Sequence, residues 1–453
     1  MWTLSEAAAR IGGRVAGPDV RFDAVGTGSR GDCTRQLFVA LRGARFDAHE
    51  FVAQAGRQGA AAALVDHRVD VDIPQLIVDD TCLGLGRLAA AWRERVRGRV
   101  VAVTGSNGKT TCKEMIAAVL GQVGSVHATG GNLNNHIGLP LTLLAARDQD
   151  FLVLEMGANH PGEIAYLTAI GRPDIAVITN AGSAHLEGFG SLEGVARAKG
   201  EIAQGLPADG TFIVPSDAPW TGLWRELAAG RRVLTCGPDA DADVRVETDG
   251  IRGVWDQDGF RTRFKVQVGG RELELELGLA GMHNIRNALV AVAVARVLGV
   301  GPEAIRAGLA GLKPVPGRLC PRQCPDGLRL IDDSYNANPD SVRAAIEVLV
   351  GLPGRHWLVL GDLAELGPDT EVLHRDLGAA ARAAGVEVLY TVGILGALAA
   401  EAFGPDGQHF HDQASLISAL RGRLSPQDLV LVKGSRAAAM EHVADAICEA
   451  GRV

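Results

Sequence analysis

A loop at residues 104–111 has the residue types and spacing that bind phosphate groups. The segment TGSNGKTT follows an apolar run, RVVAV, and precedes a stretch with helical periodicity. Glycines let backbone N–H groups approach phosphate oxygens, and the start of the following helix adds a favourable dipole. In such a loop Lys109 contacts the β- and γ-phosphates, and the Thr110 hydroxyl binds Mg²⁺. The general pattern has a further glycine where this chain has Val103, so a tight turn without a ligand is the alternative.

Three side chains further along the chain are candidates to hold a metal ion beside this loop. Glu155 ends the apolar run FLVLE, and an acid at the carboxyl end of a neighbouring strand is well placed to bind Mg²⁺ on a nucleotide. His185 follows a second such run, DIAVITN, at the same expected sheet edge, although a lone histidine is more often structural. Lys199 lies in a helical segment, where a lysine is usually solvated. The competing hypothesis is that Lys199 carries CO₂ as a carbamate, an anionic oxygen ligand for a second Mg²⁺.

Three α/β domains are expected to position these residues. The pattern predicts a small N-terminal α/β domain in residues 1–97. Residues 98–312 are predicted to form a central P-loop-type mononucleotide-binding parallel sheet, to which residues 243–277 add an antiparallel hairpin. Residues 313–453 alternate apolar strands with helices, as in a C-terminal Rossmann-like domain. The linker LKPVPGR is rich in proline and glycine, and we expect a hinge near residues 313–317.

The composition is that of a soluble globular protein. Hydrophobic residues make up 47% of the chain and charged residues 22%, with a net charge of -8 that disfavours a nucleic-acid-binding surface. The start of the chain shows no export signal, and the longest apolar stretch, residues 288–300, is too short to span a bilayer. We therefore expect a cytoplasmic protein without membrane insertion. The seven cysteines are expected to be reduced, and the spacing of Cys320 and Cys324 does not fit a zinc knuckle.

Segments in all three expected domains resemble, in the same order, the Mur ligase family and its dipeptide-adding branch. Chance agreement of so many ordered segments is negligible. The segments are TGSNGKTT, GNLNNHIGLPLTLL (131–144), EMGANHPGEIAYL (155–167), NAGSAHLEGFGSLEGVARAKGEI (180–202), GMHNIRNA (281–288), DDSYNANPDS (332–341), LGDLAELG (360–367) and KGSR (433–436).

The resemblance implies an ATP-dependent amide-bond ligase that joins D-alanyl-D-alanine to UDP-MurNAc-tripeptide through an acyl phosphate. It implies ATP and two Mg²⁺ ions as cofactors, with catalytic roles for Lys109, His185 and Lys199. The implied metal ligands are Thr110, Glu155, His185 and carbamylated Lys199. The implied nucleotide contacts are Gly105, Ser106, Asn107, Gly108, Lys109, Thr110, Thr111, Asn284, Asn287, Arg318, Asp333, Tyr335 and Asn336, with His283 in one of the same segments. The implied substrate contacts are Ser29, Arg30, Asn134, Asn135 and Asn338.

The first domain departs from the family pattern at two positions. Gly28 stands where the family commonly has an aspartate before the serine and arginine that match Ser29 and Arg30, and this removes one expected substrate contact. Ala48 stands where the family commonly has glycine. The guanidinium of Arg30 still suits the diphosphate of a uridine nucleotide.

Several alternatives remain at this point. Within the family, the chain could add diaminopimelate, lysine or glutamate, or extend a folate polyglutamate. However, the third-residue-adding branch typically has an Asp-Asn-Pro-Arg motif that this chain lacks. A dinucleotide-dependent oxidoreductase would need a G-x-G-x-x-G loop after residues 328–332, which is missing. A non-catalytic nucleotide switch is the third alternative. The sequence leaves open whether the third residue of the tripeptide is diaminopimelate or lysine, and a monomer is expected.

Overall fold

Three largely parallel β-sheets follow one another along the chain in the computed structural model, which describes residues 1–43, 46–183, 186–256 and 259–449. Strands alternate with helices throughout, as the short apolar runs of the sequence predict. The predicted three-domain α/β fold is confirmed. Within the described ranges, no helix is both long and apolar enough to cross a membrane.

The N-terminal region contains a five-stranded sheet and a separate pair of short strands. Its strands are β1 (Trp2–Thr3), β2 (Arg14–Ala16), β3 (Arg21–Phe22), β4 (Ala24–Gly26), β5 (Gln36–Val39), β6 (Ala62–Val65) and β7 (Gln75–Ile77). Its helices are α1 (Leu4–Ile11), α2 (Val52–Arg57) and α3 (Thr81–Arg93), with a 3₁₀ turn at Ala48–Phe51. The sheet order is β2-β7-β6-β5-β4, in which only β2 is antiparallel to its neighbour. The carboxyl ends of β4, β5 and β6 therefore share one edge.

The central region contains a nine-stranded sheet. Its strands are β8 (Arg99–Thr104), β9 (Val126–Ala128), β10 (Phe151–Glu155), β11 (Ile175–Ile178), β12 (Thr211–Pro215), β13 (Arg232–Gly237), β14 (Val244–Asp256), β15 (Gly259–Val268) and β16 (Arg271–Leu277). Its helices are α4 (Lys109–Leu120), α5 (Gly138–Ala145), α6 (Glu163–Gly171), α7 (Leu186–Phe189), α8 (Leu192–Gly200), α9 (Thr221–Leu227), α10 (Met282–Val297) and α11 (Pro302–Ala310), with a 3₁₀ segment at Glu201–Gly205.

The strand order of this sheet, β16-β15-β14-β13-β12-β11-β8-β10-β9, places β8 between β10 and β11. The strands from β9 to β14 are parallel, so the loops after β8, β10 and β11 meet at one edge. The antiparallel extension predicted from residues 243–277 has three strands rather than a simple hairpin.

The C-terminal region contains a six-stranded sheet in which only the first strand is antiparallel. Its strands are β17 (Cys320–Gln323), β18 (Arg329–Asp333), β19 (Arg355–Gly361), β20 (Val388–Val392), β21 (Gly407–Phe410) and β22 (Asp428–Lys433), and the sheet order is β17-β18-β22-β19-β20-β21. Its helices are α12 (Pro339–Val350), α13 (Thr370–Ala384), α14 (Gly396–Phe403), α15 (Gln413–Arg421) and α16 (Glu441–Glu449), with 3₁₀ turns at Gly367–Asp369 and Arg436–Ala438.

The first two regions share a hydrophobic core, whereas the third region has a core largely of its own. One continuous apolar cluster contains Trp2 and Leu88 of the first region together with Leu139 and Ile164 of the second. We infer that these two regions move as one body, because separating them would expose a shared core. The third region has its own core, into which the central region inserts Phe260, at the start of β15. The boundaries at residues 97 and 312 and the hinge near residues 313–317 stay predictions.

The expectation that all cysteines are reduced is wrong in this structure. Cys324, just after β17, and Cys448, in the last turn of α16, form a disulfide between residues 124 apart in sequence, with their Cα atoms 4.8 Å apart. The pair could not be predicted from the sequence, because only the sheet and the packing of α16 bring these two distant residues together. Cys320 is free, as are the other cysteines.

Candidate active site

The phosphate loop is a strand-to-helix turn that only glycine can form at two positions. The buried strand β8 ends at Thr104, and α4 begins at Lys109. Gly105 and Gly108 have φ angles of +148° and +77°, a region that side chains with a Cβ rarely adopt. A Cβ at Gly108 would also lie 2.8 Å from the Asn287 side chain. The loop therefore places backbone N–H groups at the start of α4, where an anion is stabilised.

Lys109 lies within this loop rather than in solvent. Its Nζ donates hydrogen bonds to the carbonyl oxygens of Gly105 at 2.7 Å and Ser106 at 3.2 Å. Burial lowers the pKa of Lys109, while the charge of Glu155 acts in the opposite direction. Lys109 is thus a partly buried cation whose two hydrogen-bond partners are neutral carbonyl oxygens, and this favours the binding of an anion such as the phosphates of a nucleotide.

Glu155 provides a carboxylate that lacks part of its hydrogen bonding. Oε1 accepts a hydrogen bond from Asn134 Nδ2 at 2.7 Å, and the backbone N–H of Glu155 donates to Thr129 Oγ1 at 3.0 Å. The second carboxylate oxygen, Oε2, is buried and has no partner. Leaving a carboxylate oxygen buried and unpaired is costly, and a divalent cation would relieve that cost. The Glu155 carboxylate therefore fits a role in holding a Mg²⁺ ion.

Lys199 is buried, with 1% of its surface exposed, which is contrary to the usual position of a helical lysine. Its Nζ donates to the carbonyl oxygen of Ala158 at 3.3 Å and lies 5.1 Å from the centre of the Phe189 ring. Burial, followed by the repulsion of Lys109, lowers the pKa of Lys199 to about 7. Near neutral pH much of this amine is therefore unprotonated, and an unprotonated amine can react with CO₂. His185, the other predicted ligand here, lies outside the described residues.

The start of α10 lies against the phosphate loop. Asn287, beside Gly108, is buried, and its Nδ2 lies 3.5 Å from Asn284 Oδ1. Asn284 Nδ2 donates to the carbonyl oxygen of Ala280 at 2.7 Å. Burial, together with the charges of Lys433 and Arg286, lowers the pKa of His283 to about 4, so this histidine is neutral.

The C-terminal region contributes a cluster at the ends of β18 and β22. Lys433 Nζ bonds to Asp333 Oδ2 at 2.6 Å and to the carbonyl oxygen of Asn336 at 2.9 Å. Burial raises the pKa of Asp333, and Lys433 opposes that shift. The guanidinium of Arg318 stacks 4.2 Å from the centre of the Tyr335 ring and donates to Thr110 Oγ1 at 3.0 Å. The predicted residues Arg318, Asp333, Tyr335 and Asn336 thus meet near the phosphate loop.

Direct hydrogen bonds join this cluster to the phosphate loop. Asn107 and Asn338 form a reciprocal pair through their side-chain amides, at 2.7 and 3.3 Å. Asn338 also caps α12 by accepting the N–H of Ser341 at 2.9 Å. Asp340 accepts the N–H of Ser183 at 2.7 Å. Asn338, predicted as a substrate contact, therefore takes part here in closing two domains, and its substrate role stays a prediction.

We expect the Asn107–Asn338 pair to support nucleotide binding by holding the domains closed. Asn338→Ser keeps a helix-capping hydroxyl but is too short to reach Asn107, so it should cost about 1–2 kcal/mol, or roughly 5–30-fold in kcat/KM for ATP. Asn107→Ala should give a similar loss, and the double variant should lose little more than either single one. Steady-state kinetics at saturating acceptor would measure this, and additive losses would show that the pair does not act together.

The predicted substrate contacts lie on two other loops. Asn134 bonds to Glu155 as described, while Asn135 Oδ1 caps α5 by accepting the N–H groups of Ile137 and Gly138. Ser29 and Arg30 follow β4, and β4 packs against α5. A cavity of about 230 Å³ beside α5 is lined by Asn135, His136, Gly157, Pro161, Gly162, Glu163, Tyr166 and Leu167.

A group of metal-ligand types in the first region is better explained as a hydrogen-bonded network. His49, Asp66 and His67 lie close together after β5 and β6. However, His49 Nδ1 bonds to Asp47 at 2.5 Å, and His49 Nε2 accepts the N–H of Asp66 at 3.1 Å. With both ring nitrogens occupied, His49 has no lone pair left for a metal.

Comparison with known proteins agrees with these motifs. Residues 103–295 match the family described as Mur ligase middle domain, and residues 317–436 match the Mur ligase glutamate ligase domain. The chain is 46% identical, over 99% of both chains, to the UDP-N-acetylmuramoyl-tripeptide–D-alanyl-D-alanine ligase of Escherichia coli. It superimposes on a crystal structure of MurF from Acinetobacter baumannii with a TM-score of 0.92, at 36% identity and 99% coverage of both chains. A MurF structure from Thermotoga maritima in complex with ADP gives a TM-score of 0.84 at 31% identity, covering 95% of this chain and 98% of that one.

Proposed function

The chain belongs to the Mur ligase family, and from this membership we propose that it ligates D-alanyl-D-alanine to UDP-MurNAc-tripeptide at the expense of ATP. The product is UDP-MurNAc-pentapeptide for peptidoglycan synthesis. The observation that carries the proposal is the full-length identity to a ligase of this name. We further propose that it acts in the cytoplasm, where ATP and UDP-linked precursors are available, and we expect a monomer to suffice.

The first step is transfer of the γ-phosphoryl group to the terminal carboxylate of the tripeptide. A carboxylate oxygen attacks the γ-phosphorus, and the bond between the γ-phosphorus and the β,γ-bridging oxygen breaks. ADP is the leaving group, and the tripeptide carboxylate becomes an acyl phosphate. Catalysis of such a transfer is mostly positioning and charge neutralisation. The loop from Gly105 to Thr111 would hold the phosphates through N–H groups and Lys109. Arg318, Asp333, Tyr335 and Asn336 would contact the nucleotide from the third domain, with Asn284 and Asn287 beside the loop.

The metal sites are part of this proposal. Mg²⁺ ions, when bound, reduce the repulsion between the triphosphate and the attacking carboxylate. Thr110 and Glu155 would hold one ion, and this assignment is supported by the buried, unpaired Oε2 of Glu155. His185 and carbamylated Lys199 would hold a second ion, and the lowered pKa of Lys199 supports its reaction with CO₂.

The second step is attack of the dipeptide amine on the acyl carbon. A tetrahedral intermediate forms, the C–O bond to phosphate breaks, and the amide remains. The amine must lose a proton before it attacks, and we assign no residue to that proton transfer. The contacts between Asn107 and Asn338 and between Ser183 and Asp340 would keep the domains closed, so that water does not hydrolyse the acyl phosphate.

Other members of the family fit the chain less well. Solved structures of a third-residue-adding ligase and of a folylpolyglutamate synthase are only 18% identical to it, a level that supports the shared fold alone. An oxidoreductase is disfavoured because β18 ends at Asp333 and is followed by Ser334 and Tyr335, not by a glycine-rich loop.

We expect phosphate release from Mg-ATP to require both UDP-MurNAc-tripeptide and D-alanyl-D-alanine, with a product mass that corresponds to the pentapeptide. The assay would be run with the dipeptide, with single amino acids and with no amine, and with tripeptides that contain diaminopimelate or lysine. Release with another amine would keep the ligase but change its branch. Phosphate release that depends on neither substrate would exclude the ligase reaction and favour a nucleotide switch.

A further inference from the structure

Lys113 is a fully buried lysine to which the mechanism above gives no role. It lies one helical turn beyond Lys109 on α4, and 1% of its surface is exposed. Its Nζ donates to the carbonyl oxygen of Thr129 at 2.6 Å and lies 2.6 Å from Glu114 Oε1. Burying an ammonium group is costly, and an apolar side chain of similar length would fill this space without that cost. The bond to Thr129 is thus the feature that needs an explanation.

Thr129 connects Lys113 to the proposed metal ligand. Its N–H donates to the carbonyl oxygen of Val153 at 3.0 Å, and its Oγ1 accepts the N–H of Glu155 at 3.0 Å. Thr129 is itself buried, with 1% of its surface exposed. Thr129 therefore forms hydrogen bonds with both the backbone of Glu155 and the side chain of Lys113.

Thr129 is also the first residue of the loop 129–137, which carries the predicted substrate contacts. Asn134 of that loop donates a hydrogen bond to Glu155 Oε1 at 2.7 Å, so the loop contacts the side chain as well as the backbone of Glu155. Gly130 and Gly131 follow Thr129 directly, and glycines leave the backbone free to move unless its ends are fixed. A charge-assisted bond from Lys113 fixes one end, and such bonds are roughly twice as strong as neutral ones.

We propose that Lys113 is a positioning residue that acts through Thr129 to hold Glu155 and the loop 129–137 in place. Replacing Lys113 should therefore lower the affinity for the divalent cation, while the thermal midpoint of the protein should change little. This inference rests on the proposed function, because Glu155 has to be a metal ligand for the effect to arise.

The experiment compares Lys113→Met, Thr129→Val and the double variant in the full-length enzyme. Thr129→Val removes the acceptor for the Glu155 N–H but keeps the backbone carbonyl that Lys113 contacts. Binding of Mn²⁺ in the presence of ADP, followed by electron paramagnetic resonance, is the first readout, with kcat/KM and the thermal midpoint measured alongside. We expect each single variant to bind Mn²⁺ about tenfold more weakly, as is typical for residues that orient metal ligands. The double variant should bind little worse than either one.

Glu114→Gln is the matched control, because it removes the ion pair of Lys113 and leaves the bond to Thr129. It should bind Mn²⁺ within about twofold of the wild type. If Lys113→Met does not fold, Lys113→Gln, a shorter neutral donor, takes its place with the same expectation. A normal Mn²⁺ affinity with a lowered thermal midpoint would show a purely structural lysine. Additive losses of affinity in the double variant would show that Lys113 does not act through Thr129. A wild-type enzyme that binds Mn²⁺ but lacks dipeptide-dependent turnover would overturn the proposed function instead.

Discussion

Lys109→Met is expected to lower kcat/KM for ATP by roughly 10²–10³-fold, the loss typical of removing one group that stabilises charge in a transition state. The ammonium of Lys109 is held inside the phosphate loop by the carbonyl oxygens of Gly105 and Ser106. Under the proposed function, it would lie beside the phosphoryl group that is transferred. Phosphate release in the presence of both substrates would measure the loss.

The same variant should not be less stable than the wild type near neutral pH. Burial lowers the pKa of Lys109, which means that the folded state binds this proton less tightly than the unfolded state does. Lys109 thus destabilises the folded state at every pH below its unfolded pKa, because it must either stay charged in the loop or give up its proton, and methionine removes that cost. Lys265→Met is a suitable control, because Lys265 is half exposed on β15 and pairs with Glu272 at 2.8 Å. A large fall in the thermal midpoint of Lys109→Met would mean that its lost activity reflects misfolding.

The phosphate loop could be predicted from sequence because its chemistry is local. The glycines, Lys109 and Thr110 lie within one turn between a strand and a helix, and the backbone conformation that they need is encoded by their own residue types. The position of Glu155 was also predictable, because the last residues of neighbouring parallel strands lie at the same edge of the sheet.

Residues whose partners lie far away in the sequence could not be predicted in the same way. Lys433 lies in the segment KGSR, but its role depends on Asp333, 100 residues earlier, on the neighbouring strand. The contact of Asn338 with Asn107 could not be predicted, because nothing in the sequence shows that these two residues face each other. Lys113 looks like any helical lysine until α4 is packed against the end of β9. One available signal was the spacing of Lys109 and Lys113, since residues four apart share a helix face.

The activity of the enzyme should depend on CO₂ and rise with pH through about 7, because of Lys199. With a pKa of about 7, the amine is about 10% unprotonated at pH 6 and about 90% at pH 8. Only the unprotonated amine reacts with CO₂, so the carbamate should accumulate as pH rises. Bicarbonate labelled with ¹³C should give a carbamate signal in NMR spectra at pH 8 that weakens toward pH 6, and removing CO₂ should lower the rate at pH 8.

Lys199→Met separates this effect from the titration of the incoming amine. The dipeptide amine also loses a proton as pH rises, so a rising rate alone does not identify Lys199. The variant should lose the ¹³C signal and the response to CO₂, and its rate should fall by about 10–100-fold, as expected when a metal ligand is lost or misplaced. Because methionine fills the space beside Phe189 without a buried charge, the thermal midpoint should not fall. A wild-type rate that ignores CO₂ at pH 8, with no carbamate signal, would mean that Lys199 acts as an uncharged or cationic amine rather than as a metal ligand.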